Sequence, residues 1–202
     1  MVVERPPSIL TATPISAEPM GMNLIAQFRT MAQYNTWMNR SIYETCAALS
    51  DEERRRDLHA FFGSIHRTLN HLLLTDRVQM GRFVGTDRMQ SLDEAGRVIE
   101  IRSLDQELYA DFATLRRERE KTDATIEAWT ASNEITAEFL ERDMIYDAMS
   151  AAGGYRVPMW IAVTHFFNHQ THHRGQITTL LSQLGRDAGV TDLMALHRVK
   201  IG

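Results

Sequence analysis

Proline is confined to two places in this chain, and that confinement limits the fold more than any other feature. Pro6, Pro7, Pro14 and Pro19 crowd the opening stretch, and the one remaining proline is Pro158. A proline ring inside a helix removes a backbone donor and collides with the preceding turn. Residues 1–20 are therefore expected to form an N-terminal tail, disordered or lying against the domain, with the folded unit spanning 21–202. Everything between Pro19 and Pro158 is free to be helical.

From Met22 to Leu49 neither proline nor glycine occurs, and Leu24, Phe28, Met31, Tyr34, Trp37, Met38, Ile42 and Ala47 recur at helical spacing. That pattern predicts a long first helix. Ser50 followed by Glu53 has the form of a capping box, so a new helical turn is expected there. His59 to about Phe83 reads as a second helix, broken at Gly85. Ser103 to about Ala131 reads as a third, with Leu104, Leu108, Phe112, Leu115, Ile126 and Trp129 on its inner face. Residues 133–157 lack a clear period, and Gly153-Gly154 between Tyr146 and Tyr155 suggests a short hairpin. Pro158 suits the first turn of a fourth helix that runs to about Leu184 and ends at Gly185. Gly175 inside it costs about 1 kcal/mol relative to alanine, which points to close packing by a neighbour. Four long amphipathic helices with modest connections predict an all-α fold: an antiparallel four-helix bundle with an irregular or hairpin segment before the last helix.

Composition narrows the function. A chain of 202 residues, 44% hydrophobic and 24% charged, is expected to be one soluble domain with a real core. A net charge of −4 and the lack of a basic stripe argue against a nucleic-acid surface. Arg54, Arg55 and Arg56 follow Asp51, Glu52 and Glu53, while Arg116, Arg117 and Arg119 interleave with Glu118 and Glu120; both runs read as solvated helix faces. The single Cys46 excludes an internal disulfide and paired-cysteine chemistry. No apolar run approaches the roughly 18 residues of a membrane helix, and the opening residues lack a secretory layout, so no membrane contact and a cytoplasmic location are expected.

The chemistry is concentrated in His165-Phe-Phe-Asn-His169-Gln-Thr-His172-His173-Arg-Gly-Gln176. On a helix His169 and His173 differ in direction by only about 40°. Ala162, Phe166, Ile177, Leu180 and Leu184 fall on the same side, so two imidazoles sit within an apolar stripe. His165 and His172 lie on its flanks. Two stacked neutral imidazoles need partners for four ring nitrogens, and a divalent cation supplies half of that need. Core histidines bonded to carbonyls are the plainer alternative. The zinc-peptidase form is absent, because Gln170 stands where the glutamate base would be. A third ligand should come from a facing helix. The second helix offers His59, His66 and His71. A lane of Ser64, Thr68, His71, Thr75 and Val78, flanked by Phe61, Ile65 and Leu72, looks like either a pocket rim or a solvated face. Asp76 and Glu107 are candidate carboxylate ligands, and spacing alone does not choose among these.

Three segments resemble the DinB family: Met31-Ala-Gln-Tyr34-Asn35-Thr-Trp37-Met-Asn39, Ser64-Ile-His-Arg-Thr-Leu-Asn70-His71-Leu-Leu-Leu-Thr-Asp76, and the histidine block at 165–176. The likeness runs from about Met22 to Val199, and the tail before it departs from the family pattern. It implies a DinB/YfiT-like four-helix bundle carrying a divalent metal on three histidines, here His71, His169 and His173. It also implies a homodimer, for which Trp37, Met38 and Ile42 on more than one side of the first helix speak as well.

Three neutral imidazoles leave a tetrahedral ion one open position, where a bound water or a thiolate can be activated. They suit zinc and nickel first, then iron, manganese or cobalt. Relatives of the resembled family include thiol-dependent transferases and isomerases. The expected function is thus a metal-dependent enzyme acting on a small molecule: an S-transferase using a low-molecular-weight thiol, or a hydrolase. Gln176 could orient a ligand or water, Arg174 is expected to make a structural ion pair, and no side chain stands out as a general base. The alternative is a non-catalytic, stress-related bundle that binds a metal or small ligand.

Overall fold

A computed structural model describes residues 20–147 and 154–198. The N-terminal tail, save its last residue, lies outside the described residues, as does the turn of the expected hairpin. In chain order the elements are α1 (Met20–Ala47), α2 (Asp51–Arg55), α3 (Ile65–Val84), α4 (Phe112–Ala131), α5 (Ala137–Glu141), β1 (Asp143–Asp147), β2 (Gly154–Pro158), α6 (Met159–Gln183) and α7 (Leu193–His197). The two strands form an antiparallel pair that puts Tyr146 opposite Tyr155. The expected all-α bundle with a hairpin before its last helix is what the chain forms. Among the described residues no helix is long and apolar enough to cross a membrane.

Local chemistry sets the helix ends. The Ser50 hydroxyl accepts from the Glu53 N–H, and the Glu53 carboxylate accepts from the Ser50 N–H, so the capping box opens α2 as expected. The second long helix begins at Ile65, not His59. His59 takes φ 58° and Gly63 φ 77°, and the Gly63 N–H donates to the Ala60 carbonyl at 2.8 Å. A left-handed residue cannot continue a right-handed helix, so Ser64 caps the start instead. The third begins at Phe112, not Ser103, because the Asp111 carboxylate accepts from the Thr114 N–H at 2.7 Å. Residues 85–111 thus form a long crossover, with a 3-10 turn at Thr86–Met89.

That crossover decides the helix directions. Arg29, Asn35 and Tyr43 meet Thr130, Asp123 and Phe112, so α1 and α4 run antiparallel. His71, Asp76 and Phe83 meet His173, Gln170 and Phe166, so α3 and α6 do too. Asp76 and Phe83 meet Arg119 and Trp129, and Phe28 and Asn35 meet Phe167 and Arg174, so α3/α4 and α1/α6 run parallel. A short turn can only reverse a chain. The 85–111 segment is long enough to return it to the starting end.

Each long helix contributes to two apolar clusters with a polar layer between them. One cluster includes Met38, Leu69, Leu73, Leu115 and Ile177; the other includes Phe28, Met80, Phe83, Trp129 and Phe166. The layer holds Asn35, Asn39, Asp76, Arg119, Asp123, Gln170 and Arg174, none more than 3% exposed. Arg119 donates to Asp76 at 2.6 Å and pairs with Asp123 at 2.7 Å. Asn35 and Asn39 donate to Asp123 at 2.8 and 3.0 Å, and Gln170 donates to Asp76 at 3.1 Å.

Several expectations are corrected here. Arg119 does not lie on a solvated face, because the two buried aspartates draw it inward. Arg174 donates to the Asn35 amide oxygen and lies 5.2 Å over the Tyr34 ring, in place of the expected ion pair. Gly175 has no close neighbour: a Cβ added there would meet nothing within 4 Å. Asp76 serves the buried layer, where burial pushes its pKa up to about 6 against the pull of Arg119.

Candidate metal centre

α3 and α6 bring three imidazoles together at the end of a groove between them. His71 Nε2 lies 3.2 Å from His173 Nε2, which lies 3.0 Å from His169 Nε2. All three donor atoms fall within 4.8 Å of one another, and among the described residues no other such group gathers. His71 and His173 are buried and His169 is half-buried. A tetrahedral zinc site with bonds of about 2.0–2.1 Å separates its nitrogens by about 3.3 Å. Two of the three separations here have that size, and the third is within 4.8 Å.

The tautomers carry more information than the distances. His71 Nδ1 donates to the Leu104 carbonyl at 2.6 Å, and His173 Nδ1 donates to the Gln176 side-chain oxygen at 2.8 Å. Both acceptors are oxygens, so in each neutral ring the proton sits on Nδ1 and Nε2 is a bare lone pair. Two lone pairs therefore face each other at 3.2 Å with no proton of their own to share. His169 can donate to His173, which satisfies one contact; with the Gln176 oxygen turned to His173 Nδ1, the other is left without a proton. Charging the rings is disfavoured. Burial and the neighbouring rings push His169 down to about 3; burial chiefly, with some help from those rings, pushes His173 down to about 4. A cation at the shared point resolves the conflict, and these three residues could hold one.

Supports from elsewhere fix the rings. Phe62, on the loop before α3, stacks on His71 at 4.0 Å between centroids. The Gln176 amide donates to His172 at 3.1 Å while its oxygen holds His173, so Gln176 orients a histidine of the cluster. The i, i+3 spacing of His173 and Gln176 is the sequence signal for that contact. No sequence signal pointed to Phe62 or to the Leu104 carbonyl, which approach from irregular segments.

The other candidates lie elsewhere. His66 is fully buried and meets the Tyr109 carbonyl at 3.0 Å, in the manner of a core histidine. Glu107 pairs with Arg55 at 3.2 Å. His59 sits on the exposed loop before α3. His165 and His172 are exposed, His165 at the rim of the cavity beside the cluster. The lane along α3 is a buried rim, not a solvated face: His71, Thr75 and Val78 line that cavity. Phe61 is not on the helix at all and stands 88% exposed.

A four-helix bundle with a histidine triad between two of its helices defines a class of protein able to bind a metal ion. The DinB family model matches residues 20–201, and the chain belongs to that family. It is 24% identical to Protein DinB of Bacillus subtilis (strain 168), over 79% of this chain and 87% of that protein. The crystal structure of a DinB-like protein from Bacillus cereus ATCC 10987 superimposes with a TM-score of 0.54 at 21% identity, over 79% of this chain and 94% of that one, a likeness of fold.

Proposed function

We propose that His71, His169 and His173 hold one divalent metal ion, zinc or nickel before iron, manganese or cobalt, and that the protein is an S-transferase acting on a small molecule with a low-molecular-weight thiol. The facing lone pairs of His71 and His173 are the observation that carries this reading. Such an ion supplies a Lewis acid that favours the ionised form of a thiol.

The residues around the cluster favour a thiol over water. The cavity that adjoins His71 and His169 has no carboxylate among its lining residues. A water would depend on the ion alone to ionise it, whereas a thiol ionises within about two pH units of neutrality unaided. The protein offers no accessible thiol of its own. Cys46 is buried, and burial pushes its thiol up to about 12. The thiol must therefore arrive as a substrate. His71 and His169 stand at the cavity wall, while the Leu104 carbonyl holds the His71 ring and Gln176 the His173 ring so that the Nε2 lone pairs of those two face inward.

The same reading places the protein in the cytoplasm, without nucleic-acid partners, as a homodimer. Met38 and Ile42 are consumed by the core, so of the first helix's three dimer candidates only half-buried Trp37 still speaks for the last point. Metal-loaded protein should consume a small thiol in the presence of an aromatic chloride electrophile, and His71→Ala should abolish that turnover. If thiols neither react nor alter the spectrum of the cobalt form, the site belongs to a non-catalytic, stress-related binding bundle.

A further inference from the structure

The cavity beside the histidines has a second end with chemistry of its own. It encloses about 470 Å³ and follows α3 away from His71, past Thr75, Val78 and Gln79 to Arg82. Residues 71 and 82 lie three helical turns apart on one face, about 16 Å along the axis. Both side chains lean back toward the N-terminus, and the longer Arg82 reaches further, which leaves a span on the order of 10–15 Å. Tyr146 of β1 stands at the far end, with the Arg82 guanidinium 4.6 Å over its ring.

Arg174 and Arg82 are both withdrawn from water without a carboxylate partner, but Arg174 is held by Asn35 and Thr171 inside the buried layer, whereas Arg82 lines a cavity. Arg82 is half-buried, yet among the described residues it has no carboxylate partner; its polar contact is the Gln79 side-chain oxygen at 3.2 Å. Burial pushes its pKa down, with only the Tyr146 ring beside it to oppose this. Arg102, which also lines the cavity, is spoken for by Glu100 at 3.1 Å and its side chain is 80% exposed. A cation withdrawn from water without a counter-ion is costly to keep, and a planar guanidinium matches a carboxylate through two parallel hydrogen bonds. Val78, Leu104 and Phe166 give the space between the two ends an apolar wall.

We propose that Arg82 binds the terminal carboxylate of an elongated small-molecule substrate whose opposite end reaches the three histidines through an apolar linker. The proposal rests on the reading of those histidines as a metal centre for its reactive end, but the carboxylate subsite stands on Arg82 alone. It makes substrate selection a matter of length and terminal charge.

The test uses the full-length protein, cobalt-loaded and metal-free, titrated with mercaptohexanoate and mercaptohexanol. On the cobalt form, sulfur-to-metal absorption reads thiol binding, and the acid should bind about tenfold or more tighter than the alcohol. Arg82→Gln should bring that ratio to about one while leaving the alcohol's affinity in place, and Arg82→Lys should restore part of it. In metal-free protein, hexanoate should shift the NMR signals of Arg82 and Tyr146 in the wild type and not in Arg82→Gln. A protein that takes up no cobalt but shows those hexanoate shifts would retain the subsite and lose the metal reading. Equal affinity for acid and alcohol in the unmutated protein would overturn the proposal, and so would a loss in Arg82→Gln shared equally by both ligands.

Discussion

Two groups of polar side chains lie between the long helices, and they answer the same problem in opposite ways. The layer around Asp76, Arg119 and Asp123 brings two carboxylates, two guanidiniums and three amides into one network whose charges cancel. The histidine cluster is neutral, and its outer nitrogens are tied to Leu104 and Gln176 while its inner ones are left facing each other. A polar cluster whose opposite charges pair within it serves the fold. One that is braced from outside and unfinished at its centre is built to receive something.

The sharpest way to break this comparison is to exchange the phenotypes. Arg119→Leu should destabilise the bundle by about 3–5 kcal/mol, because it strands two buried carboxylates; denaturant unfolding would read the loss, with metal uptake per folded molecule retained. His169→Ala should do the reverse, lowering metal affinity by at least about 100-fold while shifting metal-free stability by about 1 kcal/mol or less. Should Arg119→Leu remove the metal and His169→Ala unfold the protein, the division of labour drawn here is wrong. Gln176→Ala probes the bracing, and a drop in metal affinity of about 10–100-fold is expected from competition titration with a chelator.

The two groups should also respond to acid with opposite signs. Folded-state values of about 3 for His169 and about 4 for His173 lie below the ordinary 6.5. Between those values the unfolded chain binds more protons, so metal-free stability rises with pH through that window and levels off above 6.5. Asp76, raised to about 6 from 3.8, contributes the other way: its share is present below 3.8 and lost as pH rises through about 6. Water in the adjoining cavity screens the histidines, so the slope is modest. Thermal melts of wild type and His169→Ala across this range would isolate it, and the variant should show the flatter rise. The smallest effect is at Gly175, where alanine should stabilise α6 by about 0.5–1 kcal/mol, since its Cβ meets open space.

Helix periodicity, the capping box at Ser50 and the i, i+4 pair at 169 and 173 were all readable in the chain, because each depends on neighbours a few residues away. The choice of His71 over His66 came only through family likeness. The reason is visible now: both rings are buried, and which one faces α6 depends on tertiary packing. Leu104 and Leu108 stand at a helical interval and extend the pattern back to Ser103, while Asp111 caps the helix that follows. The buried charge layer is not legible in the sequence for a similar reason. Arg119 sits in an acidic and basic run that looks solvated until Asp76 and Asp123 are brought beside it.

X-ray absorption on protein purified without a histidine tag and loaded with one equivalent of zinc tests the central claim most directly. Three imidazole nitrogens at about 2.0–2.1 Å plus one light exchangeable ligand are expected, with the imidazole count falling to two in His71→Ala. A shell with fewer than three imidazoles in the wild type, or one unchanged by that substitution, would contradict it.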